Sequence, residues 1–254
     1  MTIHTITYKD TNGFEHDIKF HNLLPKGHNM DRFIQNKSLF SRPDHRFGDL
    51  LRLMKKESVV YDLGSYIGTF SIPMAIEGMD VYCFEGWPDN YTRCKKNTDP
   101  YNIKNYCVAL SNVNKIEKTR FNHCQGAEND SYHDLDEIVY VRLDDFIKEK
   151  NLPSPDLIKV DIEGMESLAF HGMSNLLENV RPIWNMGYHY KFYSEVEGYP
   201  GWVDVEDGGF DFSKIGELDY VIFDQHGKRC PPSILQTRGG EFIFIPREKI
   251  RRLE

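Results

Sequence analysis

The stretch Val59–Gly68, VVYDLGSYIG, decides the fold, because an apolar β-branched run ends there at an acid and is followed by two glycines. This order predicts a buried parallel strand, then a tight turn, then a helix over Thr69–Glu77. Pro73 fits poorly inside that helix, so we expect a bend or a late helix start. Gly64 and Gly68 are expected where the backbone passes close to a ligand, although a tight strand-to-helix turn would require them equally.

A second strand, Asp80–Phe84, ends at Glu85, which follows Asp62 by 23 residues. In a βαβ nucleotide-binding unit, an acid at this place accepts charge-assisted hydrogen bonds from ribose hydroxyls. The glycine pattern is G-x-x-x-G rather than the G-x-G-x-x-G of dinucleotide-binding proteins, and Asp62 would repel a diphosphate and attract an ammonium group. An adenosyl ligand with a cationic amino-acid tail fits these features, so the pattern predicts S-adenosylmethionine rather than NAD.

The predicted cofactor site is formed by residues at these strand ends and turns. They are Asp62, Gly64, Tyr66, Gly68, Glu85, Trp87 and Ala109. Trp87 either stacks on the adenine or packs as an ordinary core or rim aromatic. Asp62 has an alternative role as the cap of the following helix, and Glu85 has one as a surface acid.

A second block repeats this logic later in the chain. An apolar strand, Asp156–Val160, ends in DIEGME at Asp161–Glu166. Ligands bind at the carboxyl ends of the strands in open parallel sheets, so we expect Asp62, Glu85 and Asp161 to face one crevice.

The predicted substrate site combines acids of this block with aromatic residues. Glu163 and Glu166 are expected in the first turn of a helix, where the backbone dipole stabilises acids by ~0.3–1 kcal/mol, so they are either caps or functional groups. The stretch Tyr188–Phe212 is rich in aromatics and glycine and predicts an irregular lid, with a packed hairpin as the alternative. The residues assigned to the substrate site are Glu163, Tyr188, Tyr193 and Trp202.

The other elements are predicted from periodicity and turn residues. Asn12-Gly13 indicates a β-hairpin over Thr5–Phe20, and Asn112–Glu137 is polar and typical of loops. Asp144 and Asp145 are expected to cap a short helix that reaches Lys150. The remaining predictions are helices over Phe47–Met54 and Pro88–Asn97, strands at Tyr106–Leu110, Ile138–Leu143 and Arg181–Met186, and a terminal strand pair at Tyr220–Phe223 and Phe242–Ile245.

Length and composition indicate one α/β domain over residues 1–254, with residues 1–45 as an N-terminal hairpin and cap and residues 188–212 as the lid. A net charge of −8 disfavours a nucleic-acid or anionic-membrane surface, because phosphate binding depends on concentrated Lys and Arg. The sequence has neither an 18-residue apolar run nor a signal-peptide core after Met1, so we expect a soluble, cytoplasmic protein without a membrane partner. The five cysteines include no C-x-x-C pair and are expected as reduced thiols.

Four blocks of the chain, in their order and spacing, resemble the FkbM family of S-adenosylmethionine-dependent methyltransferases. They are DLGSYIG at 62–68, VYCFE at 81–85, LDD at 143–145 and LIKVDIEGME at 157–166. The resemblance implies a class I methyltransferase fold, which is Rossmann-like and has a seven-stranded, mostly parallel sheet with an antiparallel last strand. It also implies O-methylation of a hydroxyl on a sugar or another small hydroxylated molecule.

Two positions depart from the family pattern. Gly86 followed by Trp87-Pro88 stands where the family tends to have a proline directly after the ribose-binding acid. Asn185–Gly187 lacks the glutamate that the pattern leads us to expect after the fifth strand. The second departure removes the basis for carrying a family catalytic residue over to that strand.

Methyl transfer to a hydroxyl requires alignment of donor and acceptor and a base for the hydroxyl proton. His189 is predicted as that base, because it follows the fifth strand at the cleft end and an unperturbed imidazole titrates near neutral pH. Asp161 is predicted to orient the cofactor or the acceptor hydroxyl. A divalent metal held by Asp161 and neighbouring carboxylates is a less favoured alternative, because their spacing does not show that they converge.

Two other function classes compete with this interpretation. A nucleic-acid 2′-O-methyltransferase would use Lys159 with the nearby acids, but the acidic composition and the absence of a basic stripe disfavour it. A non-catalytic protein would retain the fold as an S-adenosylmethionine-binding or scaffold protein. Uptake of S-adenosylmethionine separates an enzyme from a pure scaffold.

Overall fold

The structure is a computed structural model of the chain, and it describes residues 2–22, 47–119, 136–189, 212–236 and 239–250. Strands and helices alternate through most of these ranges. The strands are β1 (Thr2–Lys9), β2 (Glu15–Asn22), β3 (Val59–Leu63), β4 (Asp80–Phe84), β5 (Lys104–Tyr106), β6 (Ala109–Leu110), β7 (Lys115–Thr119), β8 (Asp136–Val141), β9 (Leu157–Val160), β10 (Ile183–Tyr188), β11 (Tyr220–Asp224), β12 (Arg229–Cys230) and β13 (Gly240–Pro246). The α-helices are α1 (Phe47–Leu53), α2 (Ser71–Ile76), α3 (Pro88–Thr98), α4 (Leu143–Lys150), α5 (Glu166–Gly172), α6 (Phe212–Glu217) and α7 (Arg247–Ile250). Shorter helical turns lie at Asp99–Tyr101, Leu176–Val180 and Pro232–Gln236.

The central sheet is mixed and has eight strands in the order β12-β11-β13-β10-β9-β3-β4-β5. The five strands from β10 to β5 in this order run parallel to one another. Strand β13 is antiparallel to both of its neighbours, β10 and β11, so the predicted terminal strand pair is confirmed. The expected number of strands was seven, and the eighth is the two-residue β12, which pairs with β11 at the edge.

Apolar side chains cover both faces of the central sheet, because successive residues of a strand point to opposite sides. Tyr61 and Ile158 belong to the cluster on one face, together with residues of α5. Val60 and Leu157 belong to the cluster on the other face, together with Phe20 of β2. The parallel strands are therefore buried on both sides, which explains their nearly continuous apolar runs.

Strands β1 and β2 form the predicted N-terminal hairpin, with Asp10–Gly13 at its turn. The hydroxyl of Tyr8 donates a hydrogen bond to Glu77 Oε1 at 2.5 Å, and the backbone N–H of Thr11 donates to the same oxygen at 2.9 Å. Glu77 directly follows α2. The hairpin is thus bound to the central domain through its polar turn as well as its apolar side.

Helix α2 begins at Ser71, two residues later than the sequence pattern alone would place it, so the predicted late start is confirmed. Pro73 is the third residue of this helix. Its missing N–H costs no hydrogen bond there, because the first N–H groups of a helix have no partner within the helix.

The predicted third strand, Tyr106–Leu110, is wrong as a single element. Its first residue ends β5 of the central sheet, whereas its last two residues form β6 in a separate three-stranded sheet of order β6-β8-β7. Strand β7 lies in the segment expected to be loops, and the strand expected at Ile138–Leu143 instead begins at Asp136 and ends at Val141. Local periodicity could not place these short strands, because their partners lie far away in the sequence.

Several predictions fall partly outside the described residues. These are residues 23–45 of the expected N-terminal cap, residues 190–211 of the expected lid, and Cys124. The other cysteines, Cys83, Cys94, Cys107 and Cys230, are free thiols. Within the described ranges, every helix is too short or too polar to cross a bilayer.

Candidate active site

Two glycines shape the turn between β3 and α2. Gly64 has a φ of +82°, and a Cβ built on it would lie 2.0 Å from the backbone oxygen of Asp161. Gly68 has a φ of +88°, and a Cβ there would lie 2.7 Å from Cγ2 of Thr98. Packing within the chain is therefore sufficient to require glycine at both positions.

A buried lysine links the two acidic strand ends. Lys159 Nζ donates to the backbone oxygen of Gly64 at 2.9 Å, and lies 3.2 Å from Asp62 Oδ1 and 3.7 Å from Asp161 Oδ2. Burial disfavours the charged form of Lys159, but the carboxylates of Asp62 and Asp161 outweigh this effect and raise its pKa above the ordinary value. Lys159 is therefore a fixed positive charge beneath the turn.

Asp62 lies under the turn and not in an open crevice, so the expectation that it faces the ligand crevice is wrong. Its surface is fully buried, and its Oδ2 accepts a hydrogen bond from the hydroxyl of Ser71 at 2.6 Å. The alternative role as a helix cap is also wrong, because among the described residues Asp62 accepts its hydrogen bond from the Ser71 hydroxyl and from no backbone N–H of α2. Asp62 instead connects β3 to α2 and to Lys159.

Glu85 lies at the end of β4, with only 7% of its surface exposed. Its Oε2 accepts a hydrogen bond from the backbone N–H of Tyr66 at 2.8 Å, and its Oε1 accepts one from that of Trp87 at 3.0 Å. Burial raises the pKa of Glu85 to about 7, against the lowering effect of these hydrogen bonds and of the Lys159 charge. A carboxylate has about four acceptor sites, so this side chain has capacity for further donors.

Trp87 and Ala109 lie close to the backbone that follows Glu85. The indole N–H of Trp87 donates to Asp136 Oδ2 at 2.9 Å, and the Arg93 guanidinium lies 5.6 Å from the centre of the Trp87 ring. Ala109 is buried, and a Cβ built on Gly86 would lie 2.8 Å from the Ala109 Cβ. The Ala109 side chain therefore packs directly against Gly86.

His189 lies just after β10 and is surrounded by acids. Its Nδ1 lies 2.9 Å from Oε1 of the buried Glu166, and its Nε2 lies 3.5 Å from Glu163 Oε2 and 3.8 Å from Asp161 Oδ1. A carboxylate can only accept a hydrogen bond, so Nδ1 carries the proton in its contact with Glu166. Nε2 is the ring nitrogen that faces the other two acids.

The two glutamates of the DIEGME block have different positions. Glu163 lies in the loop before α5 with a φ of +54°, so its predicted place in the first helical turn is wrong. Glu166 is the first residue of α5, and its Oε1 accepts hydrogen bonds from the backbone N–H groups of Ile162 at 3.3 Å and Gly164 at 3.1 Å. Glu166 therefore holds both the loop and His189 in place.

The environment of His189 differs from that of the unperturbed imidazole on which its predicted role as the base depends. Burial disfavours its charged form, but the carboxylates of Glu166, Asp161 and Glu163 together raise the pKa of His189 to about 10. The imidazole is then protonated near neutral pH, and a protonated imidazole cannot accept a proton. The sequence gives no sign of this pKa shift, because Glu166, Asp161 and Glu163 are 23 to 28 positions away from His189 in the chain.

Asp161, Glu163 and His189 converge, which their sequence spacing did not reveal. One ligand atom from each residue lies within 4.8 Å of those of the other two, a separation at which a single metal ion could contact all three. The side chain of Asp161 is 25% exposed and that of Glu163 is 34% exposed, so both are accessible from the edge of the sheet.

A further carboxylate reaches this edge from the last strand. Glu241 pairs with Gly187 across β13 and β10, and a Cβ built on Gly187 would lie 3.0 Å from Glu241 Oε1 and 3.2 Å from Asp161 Cγ. The amide of Asn185 donates to Glu241 Oε2 at 3.2 Å. The segment Asn185–Gly187 lacks the glutamate expected from the family pattern, but the carboxylate of Glu241 on the neighbouring strand lies beside this segment.

The family match covers residues 62–229 and is described as the methyltransferase FkbM domain. The chain belongs to the FkbM methyltransferase family. The resemblance seen in the four sequence blocks is thereby confirmed, and the α/β fold with its mixed sheet is a methyltransferase-like fold.

One relative of this FkbM family member is the hexuronic acid methyltransferase AglP of Haloferax volcanii, which is 29% identical over 141 residues. That match covers 52% of this chain and 58% of the relative. A solved FkbM methyltransferase from Methylobacillus flagellatus has a TM-score of 0.46 at 19% identity, and the match covers 74% of this chain and 43% of that one. A TehB-like methyltransferase from Corynebacterium glutamicum has a TM-score of 0.43 at 15% identity, and the match covers 88% of this chain and 100% of that one. With both TM-scores below 0.5, membership of the family rests on the sequence match alone.

The substrate residues predicted for this FkbM family member are only partly within the described ranges. Tyr188 ends β10 and is half-buried, where it packs against the core cluster that contains Tyr61. Tyr193 and Trp202 lie outside the described residues.

Sequence reasoning missed two residues that the structure brings to the site. Lys159 was considered only for the nucleic-acid alternative, although a lysine in the buried strand between two acidic strand ends is a signal for a buried ion pair. Glu241 was missed altogether, because only the antiparallel pairing of β13 with β10 brings it near Asp161.

Proposed function

We propose that this methyltransferase transfers a methyl group from S-adenosylmethionine to a hydroxyl of a sugar or sugar-like small molecule. The observation that carries the proposal is the position of Glu85 and Asp161 at the ends of β4 and β9, on either side of β3 and its glycine turn. Ligands of open parallel sheets bind at this edge. The positive charge of Lys159 stabilises the carboxylates of both Glu85 and Asp161, so it links the proposed cofactor side of the site to the proposed acceptor side.

The proposed cofactor site keeps the seven residues predicted from the sequence, with revised roles. Glu85 fits ribose hydroxyls, because its carboxylate is fixed by two backbone N–H groups and retains acceptor capacity. Asp62, Gly64 and Gly68 act through the shape of the turn. Tyr66, Trp87 and Ala109 flank Glu85 and are proposed to lie along the nucleoside. When bound, S-adenosylmethionine supplies an electrophilic methyl group on a sulfonium centre.

The acceptor is proposed to bind beside Asp161 and Glu163. Both side chains are partly exposed, and carboxylates are suitable acceptors for the hydroxyl groups of a sugar. We assign proton removal to Asp161, because the carboxylates around His189 keep the imidazole protonated. His189 then positions the two acids, with Tyr188, Tyr193 and Trp202 as further substrate residues. The hexuronic acid named for the AglP relative supports a sugar acceptor.

The cofactor part of the proposal predicts that Glu85→Ala weakens binding of S-adenosylhomocysteine. Loss of a hydrogen bond to a charged group costs roughly 1.5–3 kcal/mol, which corresponds to a loss of affinity of about 10- to 150-fold. Isothermal titration calorimetry measures the effect, with Glu149→Ala on the exposed surface of α4 as the control variant. Equal affinities for wild type and Glu85→Ala would remove Glu85 from the site.

The acceptor part is tested by release of S-adenosylhomocysteine in a screen of hydroxylated metabolites, nucleotide sugars and glycans with and without hexuronic acids. We expect turnover with at least one sugar class, and loss of that turnover in Asp161→Asn with cofactor affinity retained. A protein that binds S-adenosylhomocysteine but turns over no acceptor in the screen would favour the non-catalytic alternative. Salt-sensitive RNA binding with RNA methylation would favour the nucleic-acid alternative.

A further inference from the structure

The geometry points to a binding site for one divalent cation of the Mg²⁺ or Mn²⁺ class, formed by Asp161, Glu163 and His189. Its role in holding the acceptor rests on the proposed function, whereas binding of the cation does not. The sequence disfavoured such a site because convergence of its residues was not evident, and the structure removes that objection.

The three ligand atoms have separations that one cation can bridge. His189 Nε2 lies 3.5 Å from Glu163 Oε2 and 3.8 Å from Asp161 Oδ1. Octahedral ligands at ~2.1 Å from a cation are about 3 to 4.2 Å apart, so coordination requires little movement. The two carboxylates suit Mn²⁺ and Mg²⁺, the imidazole favours the transition metal Mn²⁺ of the two, and three protein ligands leave coordination positions for water or substrate oxygens.

The histidine is oriented as metal-ligating histidines are. Its Nδ1 is bound by the carboxylate of Glu166, which is 1% exposed, and Nε2 is thereby directed toward Asp161 and Glu163. A carboxylate behind a histidine in this way fixes the ring and increases its strength as a ligand. Glu166 also binds two backbone N–H groups of the loop that carries Glu163, so a single buried side chain supports two of the three ligands.

A separate observation, a buried amide oxygen without a partner, also points to a polar ligand near this edge. Position 187 is a glycine, and a side chain there would press on Asp161 Cγ at 3.2 Å. Two residues earlier on β10, Asn185 is 1% exposed and its Oδ1 has no hydrogen-bond partner among the described residues. A buried, unsatisfied amide oxygen is costly, and water or another polar species at this edge would relieve it.

The negative charge of the surrounding carboxylates suggests what a bound cation would do in the proposed reaction. The four carboxylates of Asp161, Glu163, Glu166 and Glu241 outnumber the positive charges of His189 and Lys159 at this edge. An acceptor that itself carries a carboxylate, as a hexuronic acid does, would be repelled there. A divalent cation would offset this repulsion, hold the acceptor oxygens and make a bound hydroxyl more acidic.

The test is a titration of the full chain with Mn²⁺ at about pH 8, in which bound Mn²⁺ displaces the Nε2 proton of His189 and the electron paramagnetic resonance signal reports free Mn²⁺. We expect one Mn²⁺ per chain, displaced by excess Mg²⁺. Glu163→Gln and His189→Ala should each weaken Mn²⁺ binding at least about 10-fold. Glu117→Gln, on β7 of the small sheet, is the matched control and should bind as wild type does.

Binding of S-adenosylhomocysteine in the same samples, with and without a chelator, separates this inference from the proposed function. Wild type that binds no Mn²⁺ at millimolar concentration, or Glu163→Gln with unchanged Mn²⁺ affinity, overturns the cation site even if S-adenosylhomocysteine still binds. Retained Mn²⁺ binding without S-adenosylhomocysteine binding overturns the proposed function instead. If circular dichroism shows that His189→Ala does not fold, the Mn²⁺ affinity of Glu163→Gln alone tests the cation site. This variant is expected to fold, because Glu163 is a partly exposed loop residue.

Discussion

At the scale of single residues, burial changes the pKa of Glu85. Its carboxyl group is buried, and burial raises its pKa from an ordinary value of 4.5 to about 7. The native state therefore binds the Glu85 proton more tightly than the unfolded chain does. The corresponding stability is fully present below pH 4.5 and is lost as the pH rises through about 7.

Comparison of wild type with Glu85→Gln isolates this effect, because glutamine does not titrate. Between about pH 5 and pH 8, the free energy of unfolding of wild type relative to Glu85→Gln should fall by up to about 3 kcal/mol, from 1.36 kcal/mol per pKa unit. Urea denaturation across this pH range measures it, with Glu149→Gln as a control that should follow wild type. Parallel pH curves for wild type and Glu85→Gln would contradict the pKa of about 7.

At the scale of elements, Asp144 joins α4 to the segment that follows α5. The sequence predicted that Asp144 and Asp145 cap their own helix, but both lie inside its first turn, and its N-cap residue is Arg142, whose side chain makes no capping hydrogen bond. The Asp144 carboxylate instead accepts hydrogen bonds from the backbone N–H groups of Asn175 and Leu176, both at 2.9 Å. The prediction that they cap their own helix is therefore wrong. Asp144 instead caps the helical turn at Leu176–Val180.

Asp144→Ala should lower the free energy of unfolding by about 1–2 kcal/mol, as loss of a helix cap does. Asp145→Ala is the matched control on the same helix, since its exposed carboxylate contacts Asn114 and Arg142 at the surface and should matter by less than about 0.5 kcal/mol. Chemical denaturation of the two variants measures the difference. Equal losses would show that the contact with the distant turn contributes nothing specific.

At the scale of the whole molecule, the N-terminal hairpin and the central sheet share one hydrophobic cluster. Phe20 is fully buried in this cluster with Val60 and Leu157 of the sheet, whereas Phe14 near the hairpin turn is 68% exposed. Because the hairpin contributes to the same core, it should unfold together with the sheet and not as a separate unit.

Phe20→Ala should therefore lower the free energy of unfolding of the whole domain by about 3–5 kcal/mol. Phe14→Ala removes the same ring from an exposed place in the same hairpin and should change it by less than about 0.5 kcal/mol. Urea unfolding followed by far-UV circular dichroism and tryptophan fluorescence tests both statements. A Phe20→Ala transition that remains at the wild-type midpoint would show that the hairpin is energetically independent.

The sequence by itself determined the features that depend on neighbouring residues. The apolar runs at Val59 and Leu157, the glycine turn, the Asn-Gly hairpin and the acids at strand ends predicted these elements and their order, and the same blocks predicted the family. Such features follow from backbone preferences and short-range periodicity, which are contained in a few consecutive residues.

Only the tertiary structure decided which distant groups meet. It brought Glu163, Asp161 and His189 together, buried Asp62 against Lys159 and divided the expected third strand between two sheets. It also set the charge of His189, because a pKa depends on burial and on every carboxylate within a few ångströms. These properties arise from packing between residues up to about a hundred positions apart, which no local pattern in the sequence encodes.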